Sequence, residues 1–288
     1  MDALAGVIKR SDNTTWMQLE LELRTAIAAL KRLTPSALGG RTAISLGSGC
    51  DLFMKYVSRA FLEYTEFHTC KEELVRRGEH LALMSINSRH SIAECGNSFV
   101  RDGCTVLVHG SSRVVASLLL KAALTKQYNI ILTECRPNND GAAMARIFAE
   151  ANIPTSIILD SAVGSVMERV DMVICGAEGV MEDGGVVNKL GTYQVAMIAK
   201  TLRKPFYVAV ESYKFARMYP LSQRDVEDMV QSTDGAAADA TDADGKITKL
   251  FPHATVDFTP AKYITLLFTD LGVLTPAAVS DELIRLYQ

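Results

Sequence analysis

"GCTVLVHGSS", residues 103–112, is where the rhythm of this 288-residue chain changes. A continuous apolar run ends in a histidine, a glycine and two serines, the composition of a buried strand that delivers the chain to a polar rim. Four later runs repeat the arrangement: "YNIILTE", "PTSIILD", "DMVICGA" and "PFYVAVE". Strands beginning near residues 104, 129, 154, 172 and 206 leave room for one crossover helix in most gaps. Runs that are apolar throughout, rather than alternating, belong to strands covered on both faces. The expectation is an α/β fold in which residues 101–288 form a Rossmann-like, mainly parallel sheet domain.

Upstream the period is helical. "MQLELELRTAIAALKRL" places Leu19, Leu23, Ile27 and Leu30 at three- and four-residue steps, and "LFMKYVSRAFLEY" does the same with Phe53, Tyr56, Val57, Ala60 and Phe61. Residues 1–100 are therefore expected to form an N-terminal helical bundle, with the charges of "TCKEELVRRGEH" on a solvated face. Near the other end, "DVEDMVQSTDGAAADATDADGKITK" lacks apolar periodicity and predicts a mobile acidic loop at about 228–249, followed by a strand in "ATVDFTP". The ending, "YITLLFTDLGVLTPAAVSDELIRLY", is apolar and reads as ordered chain docked on the sheet, with a subunit boundary as one place for it.

The chain is 48% hydrophobic and 22% charged with net charge −3, which speaks against disorder and against an autonomous grip on nucleic acid. Its six cysteines, Cys50, Cys70, Cys95, Cys104, Cys135 and Cys175, are widely spaced, without the pairings of a disulfide framework or a zinc site. No stretch approaches the length of a membrane span and the first residues do not read as a secretion signal, so the expected compartment is the cytoplasm.

In a parallel sheet the carboxyl ends of the strands share one rim, where such sheets collect ligands. His109-Gly110-Ser111-Ser112, Glu134-Cys135-Arg136, Asp160-Ser161, Ala177-Glu178 and Glu211-Ser212 should meet there. The stretch "GAEGVMEDGGVVNKLGTYQVAMIAK", residues 176–200, adds a turn that leads into a helix. Thr192 is placed to cap that helix, whose first N–H groups favour an anion. Arg136 or Lys189 supplies full positive charge, beside Asn188 and the backbone at Gly191. The expected ligand-binding set is Arg136, Glu178, Asn188, Lys189, Gly191, Thr192, His109 and Ser111, for a sugar phosphate or nucleotide; the alternative is an ordinary surface turn. For Cys135 and Glu178, thiol or acid–base chemistry is weighed against a chance cysteine and a carboxylate that merely accepts hydrogen bonds. No base stands beside Cys135 in sequence, so the second reading is preferred. His109 suits a structural hydrogen bond better than a metal, since no second ligand lies at helical or turn spacing. "SLGSGCDL" lacks the strand–turn–helix context of a dinucleotide fingerprint. No catalytic residue, metal or cofactor is assigned.

From about Ser11 to Gln288 the chain resembles the alpha, regulatory subunits of eukaryotic translation initiation factor 2B. The resemblance rests on "LEY" at 62–64, "RDGCTVLVHGSSRVV", "DSAVGSVMERVDMVICGAEGVMEDGGVVNKLGTYQVAMIAK", "KPFYVAVESYKF" and "YITLLFTDLGVLTPAAVSDELIRLYQ". The wider superfamily includes isomerases of methylthioribose 1-phosphate and ribose 1,5-bisphosphate. Their pattern puts a cysteine after the first strand and an aspartate after the later Gly-Ala; here Gly110 and Glu178 stand at those positions. The resemblance implies that isomerase activity is absent, while the Asn188-Lys189-x-Gly-Thr segment keeps an anion pocket. It implies a homodimer that joins the beta, gamma, delta and epsilon subunits into the exchange assembly for initiation factor 2. It also implies that the helical half senses the phosphorylated alpha subunit of that factor. The chain begins later than those relatives, so an upstream helix is expected to be missing. The alternative reading is a sugar-phosphate isomerase of the same fold.

Overall fold

The computed structural model describes residues 2–31, 43–136, 139–226, 240–241, 247–248 and 255–287. Four helices come first: α1 (Asp2–Arg10), α2 (Trp16–Lys31), α3 (Ala43–Glu63) and α4 (Phe67–Asn97). The apolar period anticipated in α2 is what buries it: Leu19, Leu23 and Ile27 join Leu4, Ile8, Phe53, Val57, Ala60 and Leu74 in one core. Trp16 closes the bundle edge-on to Phe61 and Phe67, at centroid distances of 4.7 and 5.2 Å. On α4, Glu73 accepts hydrogen bonds from Arg76 and Arg77, and Arg77 reaches across to Glu63 on α3. The second half of α4 belongs to a different core, because Ile92 and Ala93 pack with the sheet residues Val106, Val108 and Ile130. The change of core falls inside α4, between Val75 and Ile92, well before the change of rhythm at Gly103.

The strands are β1 (Thr105–His109), β2 (Asn129–Thr133), β3 (Thr155–Ile158), β4 (Met172–Gly176), β5 (Gly179–Val180), β6 (Val186–Lys189), β7 (Phe206–Ala209), β8 (Ala240–Thr241), β9 (Ile247–Thr248), β10 (Val256–Thr259), β11 (Leu266–Thr269) and β12 (Gly272–Leu274). Seven of them make one sheet in the order β12-β11-β7-β4-β1-β2-β3, parallel except at the β11–β12 edge. Alternate residues serve two apolar layers. Val106, Val108, Ile130 and Ile174 face α4, α5 (Arg113–Ala123) and α6 (Asp140–Glu150). Leu107, Val173, Cys175 and Val208 face α8 (Thr192–Thr201), the single turn α7 (Val163–Val166) and α9 (Ala278–Tyr287). Coverage on both sides is why those strands contain so little alternation.

Strand order reverses between β1 and β4, with β2 and β3 on one side and β7 and β11 on the other. The chain leaves β1 at Gly110 and β4 at Ala177, so this switch point lies under the polar residues expected at the rim. Above it sits a second sheet, antiparallel β10-β6-β5, which sequence periodicity did not separate from a turn. It carries Asn188 and Lys189 at the end of β6, pinned to β10 in the register Lys189↔Val256 and Asn188↔Asp257. The strand expected in "ATVDFTP" is therefore β10 of this small sheet. The apolar ending does more than dock: it supplies β11 and β12 of the main sheet before α9. Within 228–249, Ala240–Thr241 pairs antiparallel with Ile247–Thr248. The rest of the expected acidic loop lies outside the described residues. Among the described residues, no helix is long and apolar enough to cross a membrane.

Candidate functional site

His109, the last residue of β1, is buried, and both its ring nitrogens are engaged. Nε2 lies 2.9 Å from the Leu190 carbonyl, which only accepts, so Nε2 carries the proton and Nδ1 accepts from the Thr133 hydroxyl at 2.7 Å. Burial lowers its pKa, so the ring is neutral. His109 thereby ties the ends of β1 and β2 to the loop between β6 and α8, the structural role favoured from sequence. Gly191 follows from this contact. Its φ of +101° is unfavourable for other residues, and a Cβ there would sit 3.0 Å from His109 Cε1.

Beside this tie, Lys189 Nζ is 3.2 Å from Glu178 Oε1, with side chains 12% and 11% exposed. The two residues come from β6 and from the turn after β4, so the small sheet closes an ion pair over the switch point. Gly110, with φ +80°, lies under the lysine stem: a Cβ on it would be 3.5 Å from Lys189 Cγ. Asn188 Nδ2 donates to Thr192 Oγ1 at 3.1 Å, and that hydroxyl donates to the Lys189 carbonyl at 2.6 Å. The geometry thus gathers Glu178, Asn188, Lys189, Gly191, Thr192 and His109 around one loop.

Thr192 does not cap α8 as its position suggested. Gly191 is the capping residue, and Thr192 turns its hydroxyl back to β6. The side chain that satisfies the first N–H groups of α8 is one that sequence reasoning missed. Asp257 on β10 accepts from the backbone N–H groups of Gly191 and Tyr193 through Oδ2, at 2.7 and 3.1 Å. An aspartate in the strand "ATVDFTP" gives no local sign of this, because its partners lie more than sixty residues earlier. Burial pushes the Asp257 carboxyl up to about 7, while the two N–H groups pull the other way.

The β2 end is arranged differently. Asp160 accepts from the N–H groups of Cys135 and Arg136, both at 2.8 Å, while the exposed Arg136 side chain pairs with Glu134 at 3.0 Å. Arg136 is thus engaged at the tip of its own strand. Cys135 is buried in a left-handed conformation, φ 59°. Burial, then Asp140 and Asp160, push its thiol up to about 12, in keeping with the inert cysteine preferred from sequence. Ser111 is exposed just beyond Gly110. At the β7 end, Glu211 pairs with Lys214 at 2.8 Å, and Lys214 also donates to the Ala177 carbonyl. Ser212 is held by Asp270. Among the described residues no group of three His, Cys, Asp or Glu side chains is placed to hold a metal ion.

A helical N-terminal region, a switch-point rim without a thiol after β1, and a small sheet closing over that rim define one class: the chain belongs to the initiation factor 2 subunit family, whose model matches residues 1–276. Within it, the chain is 46% identical over 290 residues to the translation initiation factor eIF2B subunit alpha of Dictyostelium discoideum, covering 99% of this chain and 89% of that one. It is 28% identical over 284 residues to the ribose 1,5-bisphosphate isomerase of Archaeoglobus fulgidus, covering 95% of this chain and 83% of the isomerase. In structure it is similar to a chain of the tetrameric eIF2B-beta2-delta2 complex from C. thermophilum, with a TM-score of 0.79 at 21% identity, covering 99% and 86% of the two chains. That likeness shows the fold.

Proposed function

We propose that the chain is an alpha-type regulatory subunit of the initiation factor 2B exchange assembly, without catalytic activity of its own. Identity of 46% along 99% of the chain to an eIF2B alpha subunit carries this reading. In it the chain is a cytoplasmic homodimer that joins the beta, gamma, delta and epsilon subunits, and its N-terminal helices meet the phosphorylated alpha subunit of initiation factor 2. Two features of the rim support the lack of turnover: a glycine, Gly110, where the isomerase pattern expects a thiol, and an inert, buried Cys135. An ångström of displacement at a catalytic group costs about a hundredfold in rate, so Glu178 in place of the aspartate adds to the defect. The test is GDP release from initiation factor 2 by the other four subunits, with and without this chain. Phosphorylation of the factor's alpha subunit should inhibit release only when the chain is present; equal inhibition in its absence would overturn the reading.

The rim itself is proposed as a retained anion or sugar-phosphate pocket, with Lys189 and Asn188 toward the anion and the Gly191–Thr192 loop as its wall. A ligand that binds the folded state raises its melting temperature. Lys189→Ala should abolish the shift produced by sugar phosphates. Arg136→Ala should reduce it only if the guanidinium leaves Glu134 for the ligand.

A further inference from the structure

The start of α8 has the backbone geometry of an anion site, yet its N–H groups are already taken by a carboxyl group of the protein itself. Asp257 Oδ2 accepts the N–H groups of Gly191 and Tyr193, so a phosphate oxygen brought to the same N–H groups would meet a carboxylate. The other carboxylate oxygen, Oδ1, is buried and has no partner, and only 8% of Asp257 is exposed. A buried acceptor left open calls for a hydrogen-bond donor. Thr259, two residues further along β10 and therefore on the same strand face, also has a buried hydroxyl oxygen without a partner. The opposite face, Val256 and Phe258, is spent on an apolar cluster with Met181 and Val187. Asn188 stands directly across the strand pair from Asp257, so the two side chains share the face that meets the α8 loop.

We propose that Asp257, with Thr259, makes the start of α8 a subsite for a neutral hydroxyl of the pocket's ligand and excludes a phosphate from it. The inference rests on the pocket reading above and divides its labour: the anion falls to Lys189 on the other side of the loop, and the sugar moiety is recognised from below by β10. Specificity for a polyhydroxylated phosphate over a bare phosphate is then set by a residue that the phosphate does not touch.

Isothermal titration of the purified chain with inorganic phosphate and with ribose 5-phosphate tests this. The wild type should bind ribose 5-phosphate more tightly than phosphate. Asp257→Asn keeps the shape and one oxygen for the α8 N–H groups, but turns an acceptor into a donor. It should cut the preference for the sugar phosphate by about tenfold or more, the usual weight of a hydrogen bond to a charged group, while leaving phosphate binding equal or stronger. Thr259→Val, nearly isosteric, should lower the same preference more mildly, and it serves as the decisive variant if Asp257→Asn does not fold. A preference that survives in whichever of these variants fold overturns the inference alone. Equal loss of both ligands also overturns it, since that marks a purely structural role. A wild type that binds neither ligand overturns the pocket reading together with the inference.

Discussion

Replacing Lys189 by Met would keep the aliphatic stem over Gly110 and delete only the ammonium, leaving Glu178 in a site where its side chain is 11% exposed. At 3.2 Å, the attraction within this pair amounts to roughly 5 kcal/mol at an effective dielectric near 20, before the desolvation of both charges is subtracted. What a stability measurement registers is the charge left behind. Breaking one partner of a buried pair costs about 3–5 kcal/mol, and the residual exposure here puts Lys189→Met near the lower end, about 3 kcal/mol. Glu178→Gln retains hydrogen-bonding atoms and should cost about 1–2 kcal/mol. The double variant removes both charges and should be far milder than the sum of the single changes, with a coupling of about 2 kcal/mol. Urea unfolding of the four proteins, with unchanged slope, measures each value directly. A Lys189→Met cost below about 1 kcal/mol, or strict additivity in the double variant, would refute the claim that this pair is buried and mutually compensated.

Three further outcomes are expected. Gly191→Ala forces a Cβ into the left-handed region and against His109, so it should lower stability by about 2 kcal/mol and the melting temperature by about 4 to 8 °C; an unchanged melt would contradict the loop geometry. In native protein at pH 8, a disulfide reagent should reach the half-buried Cys95 first and Cys135 only on unfolding, since burial pushes the latter thiol up to about 12; rapid stoichiometric labelling of Cys135 would contradict its placement. Asp257, pushed from 3.8 to about 7 by burial, binds its proton more tightly folded than unfolded, so its contribution is fully present below pH 4 and lost as pH rises through 7. The stability of the wild type relative to Asp257→Asn should fall over that window by up to about 4 kcal/mol, roughly three pH units at about 1.4 each; a pH-independent difference would rule the shift out.

The main sheet was legible because each of its central strands is a continuous apolar run ending in polar residues, and β1, β2, β3, β4 and β7 begin within about a residue of where those runs do. The helical half was legible for the same reason at a different period, in α2 and α3 above all. The small sheet was not: "VVNK" is four residues between a Gly-Gly turn and another glycine, and its strand character comes from pairing with β10, nearly seventy residues on. The rim residues of β1, β4 and β6 could be named in advance because topology alone sends them to one edge. Their partners could not, since capping by Asp257, the His109 bond to Leu190 and the Arg136–Glu134 pair depend on contacts that local sequence does not encode. Cys135 shows the same division: sequence alone favoured an inert thiol because no base stands beside it, but the burial and the Asp140 and Asp160 charges that push it up are visible only in space.

In the function proposed above, this chain acts as a subunit and turns nothing over. The most direct test is native mass spectrometry of the tagged chain purified from cells that co-express the beta, gamma, delta and epsilon subunits. One assembly containing all five kinds of subunit, with two copies of this chain, is expected. The contrary result is the chain recovered without those subunits and converting ribose 1,5-bisphosphate in an assay that Glu178→Gln abolishes.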